Sequence, residues 1–266
     1  MSTVSPKKIV IKIGTGVLTL SRDTSISLHH AMIARIVQAV ADLNAAGHQI
    51  ILVSSGAVAA GLPTFGLNQR PGADETGMLQ ACAAAGQARL MHIYESHFTQ
   101  YQLKVAQLLL THDDITDEKR RANIVTTMDH LLRFRPVIPI INENDSVAVY
   151  ELKVGDNDVL SSEVACLIRA DLFLLLTTVP GLRSPGAVSE SDIVERVDNL
   201  EEVLHFANDE RGSHSVGGMK SKLQAVGKAV AAGIETIIAS GSNPEQLAEL
   251  VAGRGHCTRF VPSPKA

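Results

Sequence analysis

The chain has 266 residues, 45% of them apolar, enough to fill the core of one large α/β domain or two small lobes. A formal charge of −4 gives no positive field to gather nucleic acid or an anionic membrane surface, and the apolar runs fall far short of a bilayer span of roughly 20 residues. Three scattered cysteines (Cys82, Cys166, Cys257) and ten histidines without ligand spacing predict neither a disulfide framework nor a protein-held metal, so packed, reduced thiols are expected. Met1 to Lys8 has no leader-like apolar segment, and a cytoplasmic protein is expected.

In chain order, the β-branched run Ile9 to Ile13 predicts a strand ending at Gly14, and Ser27 opens a helical segment that stops at Ala46-Gly47. A second strand, Ile50 to Val53, ends at Ser54-Ser55-Gly56, and an alanine-rich helix follows from about Glu75 to Gln100. Val105 to Leu110, Val137 to Ile141, Leu172 to Leu176 and Thr236 to Ala239 are further strand-length runs. Helix-period segments, such as Lys119 to Arg133 and Met219 to Ala232, separate most of them. This alternation predicts a three-layer αβα fold with a mostly parallel central sheet and right-handed crossovers. Val147 to Gly155 alternates without a helix beside it and reads as a hairpin or flap, while Arg183 to Ser191 and Asn208 to Gly218 read as polar loops. No repeat or linker divides residues 1–266, so a single domain is the simpler reading.

In an open parallel sheet, ligands bind beyond the carboxyl ends of the strands, and the polar and glycine-rich clusters fall there. Gly14-Thr15-Gly16 offers unobstructed N–H groups for phosphate oxygens, although alone it reads equally well as a glycine turn. Lys12 shifts that balance, because it alternates with Ile11 and Ile13 and a lysine in a central strand rarely lacks a partner. Ser54-Ser55-Gly56 could receive an anion at a helix start, but by itself is an ordinary serine cap. The quartets Asn142-Glu143-Asn144-Asp145 and Gly155-Asp156-Asn157-Asp158 say more. Their carboxylates would repel one another unless cations sit among them, whereas a pair of solvated turns is the plain alternative. Asp158 also begins a helix, from which it can orient a lysine. Val216-Gly217-Gly218-Met219 leads into a helix carrying Lys220 and Lys222, in isolation a flexible loop before solvated lysines.

Taken together, Val10 to Thr15, Ser55-Gly56-Ala57, the two acidic quartets, and Gly217-Gly218-Met219 with Lys222 to Ala225 resemble the amino-acid kinase family over nearly the whole chain. Within it, the acidic quartets are most similar to the glutamate 5-kinases. The resemblance implies a carbamate-kinase-like fold and ATP-dependent phosphorylation of the γ-carboxylate of L-glutamate, with Mg²⁺ held mainly by ATP phosphates. It implies that Lys12 and Lys222 stabilise the transferring phosphoryl group and that Asp158 holds both lysines. Ser55, Gly56, Asp145, Asp156 and Asn157 would bind glutamate. Gly14, Thr15, Thr177, Thr178, Val216, Gly217, Gly218, Met219, Lys220 and Ser221, with both lysines, would serve ATP. Residues 1–170 would then form the acceptor side and 171–266 the nucleotide side.

The resemblance also implies a homo-oligomer (dimer or tetramer), proline as a feedback inhibitor and handover of product to glutamyl phosphate reductase. The small-residue run Ala81 to Gly86 resembles a region near subunit contacts in the family. The RNA-modification-enzyme-like (PUA) C-terminal domain of many bacterial members is expected to be absent. Thr178, Val216 and the 183–187 segment depart from the family pattern, and all three fall on the nucleotide side. Two other readings share part of this evidence: a kinase for carbamate or an acylated amino acid, and a non-catalytic module sensing glutamate or proline.

Overall fold

The computed structural model of the protein describes residues 5–22, 25–148, 157–187, 189, 192–208 and 218–262. Strand β1 (Lys8–Ile13) leads through the single turn α1 (Thr15–Leu18) into a hairpin, β2 (Thr19–Arg22) and β3 (Ser25–Leu28), and then helix α2 (His30–Ala45). Next come β4 (Gln49–Ser54), the short α3 (Ala57–Gly61), the long α4 (Thr76–Phe98), β5 (Lys104–Leu110), α5 (His112–Thr116), α6 (Glu118–Arg133) and β6 (Val137–Glu143). Helix α7 (Asn157–Leu167), β7 (Leu172–Thr177), β8 (Arg196–Val197), α8 (Met219–Ala231), β9 (Glu235–Ser240), α9 (Leu247–Val251) and β10 (Thr258–Phe260) complete the described elements.

Eight strands form one sheet in the order β5-β6-β4-β1-β7-β9-β10-β8. All neighbours are parallel except β10 against β9. From β1 the chain fills one side of the sheet with β4, β5 and β6, then crosses to place β7 on the other. The strand order therefore reverses at β1, which makes its carboxyl end the place where loops from both halves diverge and leave a crevice.

Strand alternation decides what each face of β1 meets. Ile9, Ile11 and Ile13 enter a core with Ile33 of α2, Leu90 of α4 and Leu250 of α9. Val10 joins a second core with Met128 of α6, Val164 of α7 and Val226 of α8. Each such side chain, fully buried, contributes about 1.5–3 kcal/mol. Both faces of the sheet are thus covered, and this explains why β7 is a continuous apolar run rather than an alternating one. Lys12 shares the parity of Val10, so it faces the layer that contains α7 and α8.

Two departures from the sequence reading have local causes. Ser27 does not open α2, because it pairs with Leu20 in the β2–β3 hairpin, where Leu28 is buried. The run Ala81 to Gly86 packs within the chain: a Cβ on Gly86 would lie 1.9 Å from the Ala57 carbonyl oxygen, and one on Gly61 1.9 Å from that of Cys82. Close approach of α3 to α4 accounts for Gly86 and for the small residues facing it, while Ala84 is exposed. The short β8 and β10 were not expected. Most of the flap, residues 149–155, lies outside the described residues, as do 209–217 of the second polar loop. Cys82 and Cys257 are buried, Cys166 is half-buried, and none of the three is in a disulfide. Among the described residues no helix is long and apolar enough to cross a membrane.

Candidate active site

At the carboxyl end of β1 a cluster of charge is buried. Lys12 Nζ ion-pairs with Asp158 Oδ1, and Lys222 Nζ lies 3.3 Å from Asp158 Oδ2. The three residues come from β1 and from the first turns of α7 and α8, and they are 6%, 0% and 7% exposed (Lys12, Asp158, Lys222). Ser221 Oγ donates to Asp158 Oδ2 at 3.0 Å and lies 2.9 Å from the Gly218 carbonyl oxygen. Burial pushes the Asp158 carboxyl up, but the Lys12 and Lys222 charges and the hydrogen bonds from Lys12 and Ser221 outweigh it, holding the group below the usual carboxylate range. Charges buried this deeply persist only when paired, and here two cations share one anion. The trio thus places two buried ammonium groups on one carboxylate at the carboxyl end of β1.

The turn after β1 lies against this cluster. Gly14 N–H donates to the Leu176 carbonyl at 3.0 Å, and a Cβ on Gly14 would come within 3.3 Å of that oxygen and 3.7 Å of Lys12 Nζ. A side chain here would press on the Leu176 carbonyl oxygen and touch the amine, so the glycine lets the turn after β1 lie close against β7. The Thr177 carbonyl accepts from Gly241 N–H at 2.8 Å, joining the ends of β7 and β9. Thr177 is buried and Thr178 exposed, with Thr178 Cγ2 close against Gly16.

A second, uncharged network starts at the residue before Asp158. Asn157 Nδ2 lies 3.2 Å from the Ser54 carbonyl, 3.1 Å from Ser55 Oγ and 3.1 Å from Asn142 Oδ1. Asn142 Nδ2 donates to Gln87 Oε1 at 2.8 Å, and Glu143 N–H donates to Asn142 Oδ1 at 2.9 Å. Beneath them, Ser54 Oγ and the fully buried Tyr94 hydroxyl are 3.0 Å apart; burial raises the Tyr94 pKa to about 12, against the lowering effect of that hydrogen bond. Gly56 turns the chain out of β4 with φ +96°, a left-handed conformation that other residues rarely adopt. Burial lowers the pKa of Arg70, and the nearby Asp145 charge partly restores it.

The structure thus gathers Lys12, Asp158, Ser221 and Lys222 in one cluster and Ser55 and Asn157 in an adjoining one. Gly14 adjoins the first, Thr15 begins α1, Thr177 ends β7 with Thr178 next to it, Gly218 is exposed at the start of α8, and Lys220 is exposed beyond it. Met219 is buried in the core beneath α8, so its side chain packs rather than lines the crevice. Asp156, Val216 and Gly217 lie outside the described residues. Sequence reasoning missed Gln87, Tyr94 and Arg70 and did not assign Asn142 a part. The signal for Gln87 was a lone amide between Gly86 and Ala88 in an otherwise small, apolar stretch of α4. Among the described residues no three His, Cys, Asp or Glu side chains gather as a metal cage.

Residues 7–240 match the model of the amino acid kinase family. The chain is 41% identical over 262 residues to a glutamate 5-kinase of Nostoc punctiforme, covering 97% of this chain and 70% of that protein. It is 44% identical over 259 residues to a glutamate 5-kinase of Geobacter sulfurreducens, covering 96% and 68%. Among solved structures, carbamate kinase from Giardia lamblia bound to AMP-PNP superposes with a TM-score of 0.64 at 18% identity, over 97% of this chain and 99% of that one. N-acetylglutamate synthase from Neisseria gonorrhoeae gives 0.64 at 14% identity, over 97% and 60%. These structural likenesses bear on the fold, which is the three-layer arrangement described above.

Proposed function

The chain belongs to the amino acid kinase family, and from that premise we propose that it transfers the γ-phosphoryl group of ATP to the γ-carboxylate of L-glutamate. The product, L-glutamyl 5-phosphate, opens the synthesis of proline from glutamate. The observation that carries the proposal is the convergence of Lys12 and Lys222 on the buried Asp158.

The acceptor carboxylate has an ordinary pKa of about 4.3 and is ionised at neutral pH, so the nucleophile needs no general base. What opposes reaction is repulsion between an anionic nucleophile and an anionic phosphoryl group. Two buried amines held on one shared carboxylate suit the charge that spreads over the phosphoryl oxygens as transfer proceeds. Asp158 sets their spacing and, at the start of α7 between β1 and the start of α8, fixes their direction. The turn at Gly14 beside an amine fits a polyphosphate, and Gly14, Thr15, Thr177, Thr178 and the start of α8 form the nucleotide side. When bound with the nucleotide, Mg²⁺ supplies further neutralisation of its phosphates. Ser55, Gly56, Asp145 and Asn157 form the acceptor side, with neutral donors for a carboxylate and Asp145 for the ammonium.

The test is incubation with Mg-ATP, L-glutamate and hydroxylamine. Glutamate-dependent ADP and a γ-glutamyl hydroxamate, formed as hydroxylamine displaces phosphate from the acyl phosphate, are expected. Neither product from folded protein would end the proposal. Carbamate and acylated amino acids, offered in place of glutamate, should give at most a trace of ADP.

A further inference from the structure

The polarity of every amide in the uncharged network follows from two backbone groups. The Ser54 carbonyl only accepts, so the nitrogen of Asn157 faces it at 3.2 Å. Glu143 N–H only donates, so the oxygen of Asn142 faces it at 2.9 Å, and that oxygen also accepts from Asn157 Nδ2. The Asn142 nitrogen must then point to Gln87, whose oxygen accepts at 2.8 Å. Flipping any one of the three amides would set donor against donor or acceptor against acceptor. Two groups are left over, the donor Gln87 Nε2 and the acceptor Asn157 Oδ1, both buried and neither with a hydrogen-bond partner among the described residues.

Such groups are rare, because burial without a partner costs free energy that an apolar side chain would avoid. Gln87 is only 8% exposed on a helix whose neighbouring turns present Ala83, Gly86 and Leu90 to the interior. The leftover pair has opposite polarity, as a ligand carrying both a carboxylate and an ammonium would need.

The order of the network also assigns an end of that ligand to each group. Asn157 adjoins Asp158 and the two amines, whereas Gln87 lies two side chains further away, beyond Asn142. With the reacting γ-carboxylate committed to the lysines, the far end of glutamate is its α-carbon. We infer that Gln87 is a specificity-determining residue of the acceptor site: its Nε2 donates to the α-carboxylate of the bound amino acid while Asn157 Oδ1 accepts from the α-ammonium. This inference rests on the glutamate kinase reading and adds to it a residue that selects α-amino acids over simple carboxylates.

4-Aminobutyrate is glutamate without its α-carboxylate, so it probes this one contact. Steady-state kinetics with L-glutamate as acceptor and 4-aminobutyrate as competitive inhibitor are measured for the wild type, Gln87→Met and Gln87→Glu. The Glu variant keeps the acceptor for Asn142 Nδ2 and so preserves the network should the Met variant fail to fold. Gln87→Met should raise KM for glutamate roughly tenfold, and Gln87→Glu, which sets carboxylate against carboxylate, up to about a hundredfold. KM for ATP should stay within about twofold, and the Ki of 4-aminobutyrate should rise far less than the KM for glutamate in both variants, since 4-aminobutyrate has no α-carboxylate for the deleted donor. Equal losses for glutamate and 4-aminobutyrate, or an unchanged glutamate KM with altered thermal stability, would make Gln87 a structural residue and overturn the inference while the kinase reading stands. A wild type with no glutamate-dependent ADP formation would sink both.

Discussion

Asn157 and Asp158 are consecutive residues at one helix start, yet they anchor opposite kinds of chemistry. Asp158 is ringed by two ammonium groups and a hydroxyl. Asn157 touches a serine hydroxyl, a backbone carbonyl and another amide. The difference follows from the step each half has to perform. Phosphoryl transfer needs charge delivered where charge moves, while selecting a small amino acid needs directional donors and acceptors that reject the wrong outline. The comparison predicts that damage on the Asp158 side shows in kcat, and damage on the Asn157 side in the KM for glutamate.

The largest effect tests the charged half. Lys12→Ala or Lys222→Ala should each remove about 3–4 kcal/mol of transition-state stabilisation, roughly a hundredfold to a thousandfold in kcat. Intact near-ultraviolet dichroism together with undiminished turnover would strip the residue of its part. On the uncharged half, Asn157→Ala should raise KM for glutamate roughly tenfold by deleting donors and an acceptor together, with ATP affinity little changed. Asp145→Ala should act in the same direction and through the same constant. Were it to weaken ATP and glutamate equally, Asp145 would hold the fold near Arg70 instead of the substrate.

How far these halves could be read from sequence alone differed for the same physical reason. Lys12 stood out because a lysine between Ile11 and Ile13 in a buried strand demands a partner, and Asp158 because crowded carboxylates need cations, whereas Lys222 alone read as a solvated lysine and was marked only by the family resemblance. Six of the eight strands of the sheet were legible from their apolar runs, since a sheet covered on both faces needs unbroken ones, whereas the two- and three-residue β8 and β10 are too short to leave such a run. Their order, and the reversal at β1, depend on packing between distant segments and were not. The β2–β3 hairpin was lost because its second strand runs straight into α2, where a shift from period two to period 3.6 leaves no punctuation. Gln87 was silent for a different reason. A neutral amide on an alanine-rich helix carries no charge to balance, and its role emerges only when the directions of three side-chain amides are followed in space.

The smallest expected effect sharpens the comparison at Asp158 itself, where burial and the two ammonium groups act in opposite directions. Because the cations prevail, the folded pKa lies below the unfolded value of about 4. Between those two values the unfolded chain takes up a proton that the native chain refuses. Asp158 then contributes its full stabilisation above pH 4 and loses it progressively as pH falls through the folded pKa. Urea unfolding of the wild type and Asp158→Asn should therefore give a stability difference that is level from pH 7 to about pH 4 and narrows only in more acidic solution. Taking the difference matters, since Asp114 also has a depressed pKa and would bend either curve alone. A gap that already narrows near pH 6 would mean that burial prevails, that the carboxyl is neutral for part of the working range, and that the two lysines meet without an anion between them.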